Sequence, residues 1–311
     1  MKFIVSSSSL LKHLQQISGV INTNTVLPIL EDFLFEIEDK KLNIIATDLE
    51  TVMRVQMEVE SKANGRVCIP AKILIDSLKN IADQPLTFNI DKNYAVEITS
   101  DNGKYKVMGE NPDNFPKEPT ADDTTGFNMT SGGLLTAINK TLFAVSNDDL
   151  RPAMTGVFVQ VSESSTTFVA TDGHRLIRYR REDVTSPNST TMILPRKALN
   201  LLKSSLPGEI MPVKAEFSNS NAFFSFGHIK MICRLIDERF PDYENAIPTN
   251  NPNVLTISRG EILNSLRRIS IYSNRTTHQI RLKLTPPNEL VISAEDLDYS
   301  NEANERLLCE Y

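Results

Sequence analysis

The sequence predicts an α+β fold of repeated domains, each built of two strand-helix-three-strand halves, with helices lining one side and antiparallel sheets outside. Three observations predict it. Marks recur at one long offset: Pro70 and Pro195 lie 125 residues apart, Pro116 and Pro241 also 125, Asp48 and Asp172 124, and Leu10-Leu11 and Leu134-Leu135 124. That period exceeds a solenoid repeat, so each copy is a domain in its own right. Within a copy, the order of one helix and three strands is written twice. Every candidate helix is also net basic, although the chain carries −6.

The first copy opens with a strand at Lys2–Val5. A serine cluster then signals a helix start. Leu10, Leu11, Leu14 and Ile17 share one helical face, and Gly19 ends the run. Alternating runs near 31–38, 42–47 and 51–59 predict strands joined by turns at Glu38-Asp39-Lys40 and Thr47-Asp48-Leu49-Glu50. A short strand runs into Pro70, which is placed in the first turn of a helix over 71–81. Strands near 86–90, 94–99 and 104–109 follow, with a hairpin at Ser100-Asp101-Asn102-Gly103. The proline-rich stretch 111–126 predicts a linker.

The second copy repeats the order, with helices at 131–146 and 196–205. A boundary falls near 244–254. A third copy starts at Val254, with Ile262-Leu263, Leu266 and Ile269 matching the first helix, strands near 279–285 and 289–294, and Asp296 keeping the repeated mark. The predicted domains are 1–121, 122–247 and 248–311, the third being a first half only.

Composition narrows the function. The negative charge argues against a whole surface that coats nucleic acid or membrane. No apolar stretch approaches a membrane span, and the N-terminus lacks a signal-peptide core. Three well-separated cysteines, Cys68, Cys233 and Cys309, suggest a reducing, cytoplasmic setting. The five helices sum to +8 against the chain's −6, leaving −14 elsewhere. A diffuse basic lining without a base-reading motif fits phosphate contact rather than sequence readout. Its candidates are Lys12, Lys72, Lys79, Lys140, Arg196, Lys197, Lys203, Arg267 and Arg268.

These residues bring a family into view. Leu10-Leu11-Lys12-x-Leu14-Gln15-Gln16, Leu27-Pro28-Ile29-Leu30, Ala170-Thr171-Asp172-Gly173-His174-Arg175-Leu176, Pro195-Arg196-Lys197 and Arg239-Phe240-Pro241-Asp242-Tyr243 resemble the bacterial DNA polymerase III beta subunits, the sliding clamps. The resemblance covers the whole chain. It implies three similar domains per subunit and a head-to-tail homodimer ring around double-stranded DNA. Helices would line the hole, with no catalysis and no cofactor. It implies a subunit about one half-domain longer, so the third domain reads as incomplete.

The resemblance also implies a pocket for short peptide motifs between the second and third domains. The DNA polymerase III alpha subunit, the clamp loader and repair proteins would dock there, on Met154, Thr171, Gly173, His174, Arg175, Leu176 and Pro241. It implies DNA contact at the loops Asn22–Thr25 and Asn147–Arg151. Asn24 stands where an arginine often occurs, and Pro152-Ala153 where aromatics often occur, which leaves the helix cations to carry the lining. At the subunit interface it implies a basic edge, Lys104 and Lys106, facing an acidic one, Glu295, Asp296, Asp298, Glu302 and Glu305, with Ile271 and Tyr272 as the apolar part.

Two other readings compete. One is a β-rich scaffold that binds only protein. The other is a hydrolase using Asp172, His174 and Arg175. Neighbouring turn residues diverge, however, and a catalytic dyad needs convergence. Asp172 reads better as a turn former.

Overall fold

The computed structural model describes residues 1–22 and 26–311. The chain forms two compact units, Met1–Pro241 and Asp242–Tyr311. In the first, β1 (Lys2–Ser6) leads into α1 (Ser7–Ile17). Ser6 Oγ accepts the Ser9 N–H and so satisfies one free first-turn donor. Leu10, Leu14 and Ile17 form the buried stripe. The meander β2 (Asp32–Glu38), β3 (Lys41–Thr47) and β4 (Thr51–Glu58) follows, with a short β5 (Glu60–Ser61). Then come β6 (Gly65–Pro70), α2 (Ala71–Lys79), β7 (Pro85–Ile90), β8 (Ala95–Ser100) and β9 (Gly103–Met108).

The second copy runs β10 (Thr125–Thr130), α3 (Ser131–Thr141), β11 (Gly156–Val161), β12 (Thr166–Thr171) and β13 (Leu176–Arg181). It continues with β14 (Thr190–Pro195), α4 (Arg196–Ser205), β15 (Pro212–Phe217), β16 (Asn221–Phe226) and β17 (Ile229–Arg234).

Two local expectations change. The helix over 131–146 stops at Thr141, and Leu142–Ala144 form a 3-10 turn. Ala144 and Val145 are both buried, and Val145 is already extended, so the tighter turn redirects the chain to bury them. Pro70 and Pro195 end their strands and sit just before the helices, not in the first turns. Their fixed φ suits that extended residue, and neither helix has a side-chain cap.

The halves of each copy exchange their first strands. β1 pairs with β7 and β6 with β2; likewise β10 pairs with β15 and β14 with β11, all antiparallel. Phe3 and Phe88 stack at 4.7 Å across one exchanged pair. The resulting sheets are β5-β1-β7-β8-β9, β13-β12-β11-β14 and an eight-stranded β10-β15-β16-β17-β4-β3-β2-β6. The last spans both copies through the β17–β4 seam, from Ile229↔Val55 to Cys233↔Thr51. That seam makes the two repeats one compact unit. α2 packs on α1, α1 on α4 and α4 on α3, so the four helices form one row.

In the second unit, α5 (Arg259–Ile269) and a 3-10 turn, Ser270–Tyr272, precede β18 (Arg281–Thr285), β19 (Glu289–Asp296) and β20 (Asn301–Leu308), which form one sheet in that order. Its core is Ile269, Leu290, Ile292, Ala294 and Cys309, with Ile262 and Leu266 packed against it. β20 carries no clear alternation in sequence, because one residue of its packed face is Glu305. Among the described residues no helix is long and apolar enough to cross a membrane.

Candidate nucleic-acid interface and docking surfaces

The helix row carries seven of the nine predicted cations, and all seven are exposed. Their surroundings differ. Lys72 and Lys79 both reach Asp76, at 3.2 and 3.7 Å. Lys197 of α4 pairs with Asp48 of the first copy. Lys140 lies over the Tyr179 ring, 5.6 Å from its centroid. Lys12, Arg196 and Lys203 make no ion pair among the described residues. In the second unit Arg268 grips Glu305 through two bonds of 2.7 and 2.6 Å, while Arg267 is exposed and makes no described ion pair. Exposed pairs of this kind contribute at most about 1 kcal/mol. An incoming phosphate can therefore compete for the same lysines. Of the predicted loops, residues 23–25 lie outside the described residues, and Arg151 is held by Asp148 at 2.9 Å.

The β12–β13 turn gathers most of the predicted peptide-docking residues. Asp172 Oδ1 accepts the N–H groups of His174 and Arg175, both at 3.0 Å. Thr171 Oγ1 accepts Gly173 N–H at 3.1 Å and donates to Arg175 O at 2.8 Å. Gly173 sits at φ +88°, a left-handed position that favours glycine. Arg175 binds Asp172 at 3.0 Å, donates to the Phe143 carbonyl at 2.7 Å and lies over the Phe143 ring at 5.4 Å. Leu176 and Pro241 are half-buried. Met154, also half-buried, is fixed by its carbonyl, which accepts Ser146 N–H at 2.9 Å. The preceding Phe240 stacks on Phe158 at 4.7 Å. Phe143 and Leu150, 53% and 91% exposed, extend this surface. Phe143 escaped sequence reasoning because an apolar residue near a helix end reads as core, whereas Leu150 fell in the loop 147–151 that the resemblance assigns to DNA.

The same geometry answers the hydrolase reading. The Arg175 and His174 backbone donors, with the Arg175 guanidinium, hold the Asp172 carboxyl down to about 2. That carboxylate is committed to backbone donors and to Arg175, and no hydrogen bond joins it to the His174 imidazole among the described residues. In each copy the repeated aspartate holds a turn. Asp48 Oδ1 accepts Glu50 and Thr51 N–H, and Asp296 Oδ1 accepts Asp298 N–H.

The predicted interface residues split similarly. β9 is an edge strand on which Lys104 and Lys106 are exposed, with Lys104 touching Glu97 at 3.2 Å. Ile271 is 77% and Tyr272 43% exposed. Glu295 lies 3.9 Å from Arg281, and Asp298 is exposed. Asp296 is the exception: it is 3% exposed and bonded to Asn274 at 3.2 Å, so its carboxylate serves the turn and offers no surface. A cleft of about 560 Å³ beside β9, lined by Ile73, Ile81 and Tyr105, went unpredicted.

Comparison with known proteins adds an independent line. Residues 1–119 match the DNA polymerase III beta subunit N-terminal domain, and residues 128–242 match its central domain. A beta sliding clamp of Vibrio cholerae is 28% identical over 309 residues, covering 99% of this chain and 84% of that protein. One of Haemophilus influenzae is 29% identical over 307 residues, covering 98% and 83%. The crystal structure of the DNA polymerase III subunit beta of Pseudomonas aeruginosa superposes with a TM-score of 0.93 at 26% identity, covering all of this chain and 85% of that one.

Proposed function

Because the chain belongs to the DNA polymerase III beta subunit family, we propose that its helix row faces duplex DNA and that two copies close around that duplex. The chain is a sliding clamp, a non-catalytic processivity subunit of DNA polymerase III. The observation that carries the DNA-facing reading is the row α2-α1-α4-α3, on which Lys12, Arg196 and Lys203 stand exposed. Sparse cations with no base-reading set suit weak, mobile, sequence-independent contact. The domain limits 1–121, 122–247 and 248–311 belong to this reading. So does a cytoplasmic setting, which suits three buried free thiols.

The test is topological. Loaded protein should stay on nicked circular DNA and leave once that DNA is linearised. Equal retention on both forms would favour the protein-only scaffold. Charge reversal at Arg196 and Lys203 should weaken binding and lower the slope of log affinity against log salt by roughly 0.9 for each phosphate no longer neutralised.

Self-association follows the pattern of the β17–β4 seam. There the last strand of a first half pairs with the last strand of a second half. β20 and β9 are such strands, and each lies at a sheet edge. Paired between two copies, they bring the exposed Glu302 to Lys104 and Lys106, while Glu305 stays with Arg268 on the packed face, and Ile271 and Tyr272 are directed at the cleft lined by Ile73 and Tyr105. Lys106→Glu should lower the mass in solution at a fixed concentration; an unchanged mass counts against this pairing.

The polymerase alpha subunit and the clamp loader are assigned to the β12–β13 surface with Met154 and Pro241. Arg175→Ala frees Phe143 and should reduce binding of a clamp-binding peptide by about tenfold, a loss of about 1.4 kcal/mol. Unaltered fluorescence polarisation would remove the site.

A further inference from the structure

The β16–β17 turn carries Gly227 at φ +54° and presents His228 to helix α1 of the other repeat. Three contacts hold it there. The His228 carbonyl accepts Gln56 N–H from β4 at 3.0 Å. Its Nε2 meets Gln16 Oε1 at 3.0 Å. Its ring packs on that of His13, with centroids 4.8 Å apart and planes at 58°. His13 Nδ1 in turn meets the Ser9 carbonyl at 2.7 Å. A carbonyl oxygen only accepts, so His13 carries its proton on Nδ1 and His228 carries its proton on Nε2. Both rings are thus satisfied while neutral.

We infer that His13 and His228 form a proton-operated latch across the junction of the two repeats, closed when both rings are neutral and opened when both are charged. The charged groups acting on His228 are His13 and Lys12 of α1, both basic, and β4 meets it through the neutral Gln56 backbone. Burial, then these two bases, hold His228 below the usual imidazole range. Acidification places two imidazolium rings in contact beside a lysine.

The rest of the junction is held by other contacts, among them the Lys197–Asp48 ion pair and Arg234 at 3.6 Å from Glu50. The β17–β4 seam is backbone pairing, and the Gln16 carbonyl is held from the opposite side by Ser205 Oγ of α4 at 3.2 Å. Opening therefore frees the β16–β17 turn from α1 while the seam stays closed. This inference stands apart from the proposed DNA contact and survives its failure.

The experiment is amide hydrogen exchange on the full chain at pH 7.5 and 5.5, corrected for intrinsic exchange. The expected result is a loss of protection of about tenfold in α1 and the β16–β17 turn, the equivalent of one pKa unit, with the β17–β4 seam unchanged. His13→Gln removes the like charge and should flatten that pH dependence. A direct imidazole titration of the unmodified chain by NMR covers the case in which the variant misfolds. Equal protection at both pH values, a uniform loss that includes the seam, or His228 titrating at or above about 6.5 overturns the latch.

Discussion

Asp32 is 4% exposed, its Oδ2 has no hydrogen-bond partner among the described residues, and Glu110 and Glu31 add like charge. Burial first, then those two acids, push its carboxyl up to about 7. A raised acid binds its proton more tightly in the folded chain than in the unfolded one, whose value is about 3.9. Its contribution to stability is therefore present below about 4 and is lost as pH rises through about 7. Asp32→Asn should raise the denaturant midpoint at pH 8 by the equivalent of about 2 kcal/mol and leave it nearly unchanged at pH 4. An equal midpoint at pH 8 would refute the assignment. Asp172 behaves oppositely. Its carboxyl should titrate below 3 in a carbon-detected NMR series, near the value of about 2 that its turn donors impose, whereas a general base would titrate near neutrality. The Asp172 turn was legible in sequence, since aspartate in a Thr-Asp-Gly run bonds its own backbone two and three residues on. The raised carboxyl of Asp32 was not, because it depends on burial in the tertiary fold and on the charge of Glu110 from the far end of the repeat.

Strand exchange sets the tolerance of individual elements. A Cβ on Gly126 of β10 would overlap the Ala215 carbonyl of β15, and one on Gly156 of β11 would overlap the Leu194 carbonyl of β14. Both sites hold an exchanged strand against its host. Gly126→Ala should cost about 3 kcal/mol by overpacking, read as a lower urea midpoint for the first unit, while Gly132→Ala, facing open space on α3, should leave it unaltered or higher. The order of strands and helices was legible because caps, hairpin turns and apolar periodicity are local signals. Leu10, Leu14 and Ile17, and then Leu74 and Leu78, fall on buried faces as their spacing predicts. The exchange itself was not legible. β1 alternates just as it would in the sheet of its own half, and nothing local chooses β7 over β2. β20 escaped for a related reason: Glu305 lies on its packed face and is balanced by Arg268, a partner on another element.

At the scale of the whole molecule the two units differ in what they bury. The first packs two repeats around a large shared core with a smaller cluster beside it, whereas Asp242–Tyr311 has a core of five buried apolar side chains and a few that lean on them. Calorimetry should show the second unit melting first, and Ile292→Ala should lower that transition by about 3 kcal/mol without moving the other. A single cooperative transition would contradict this. The exchanged strands also govern how the chain is made. β1 leaves the ribosome early, yet its short partner β5 arrives only at mid-repeat and its main partner β7 only after most of the first repeat has been synthesised. At about 5–20 residues per second, that leaves Phe3 and Val5 without a sheet for several seconds. Nascent chains arrested before β7 should therefore remain protease-sensitive and bind chaperones, and those arrested after β9 should be resistant. The second repeat repeats the delay, since β10 waits for β15. Each repeat is thus committed to fold only when its last third has emerged, and synthesis proceeds in two such steps before the final unit begins.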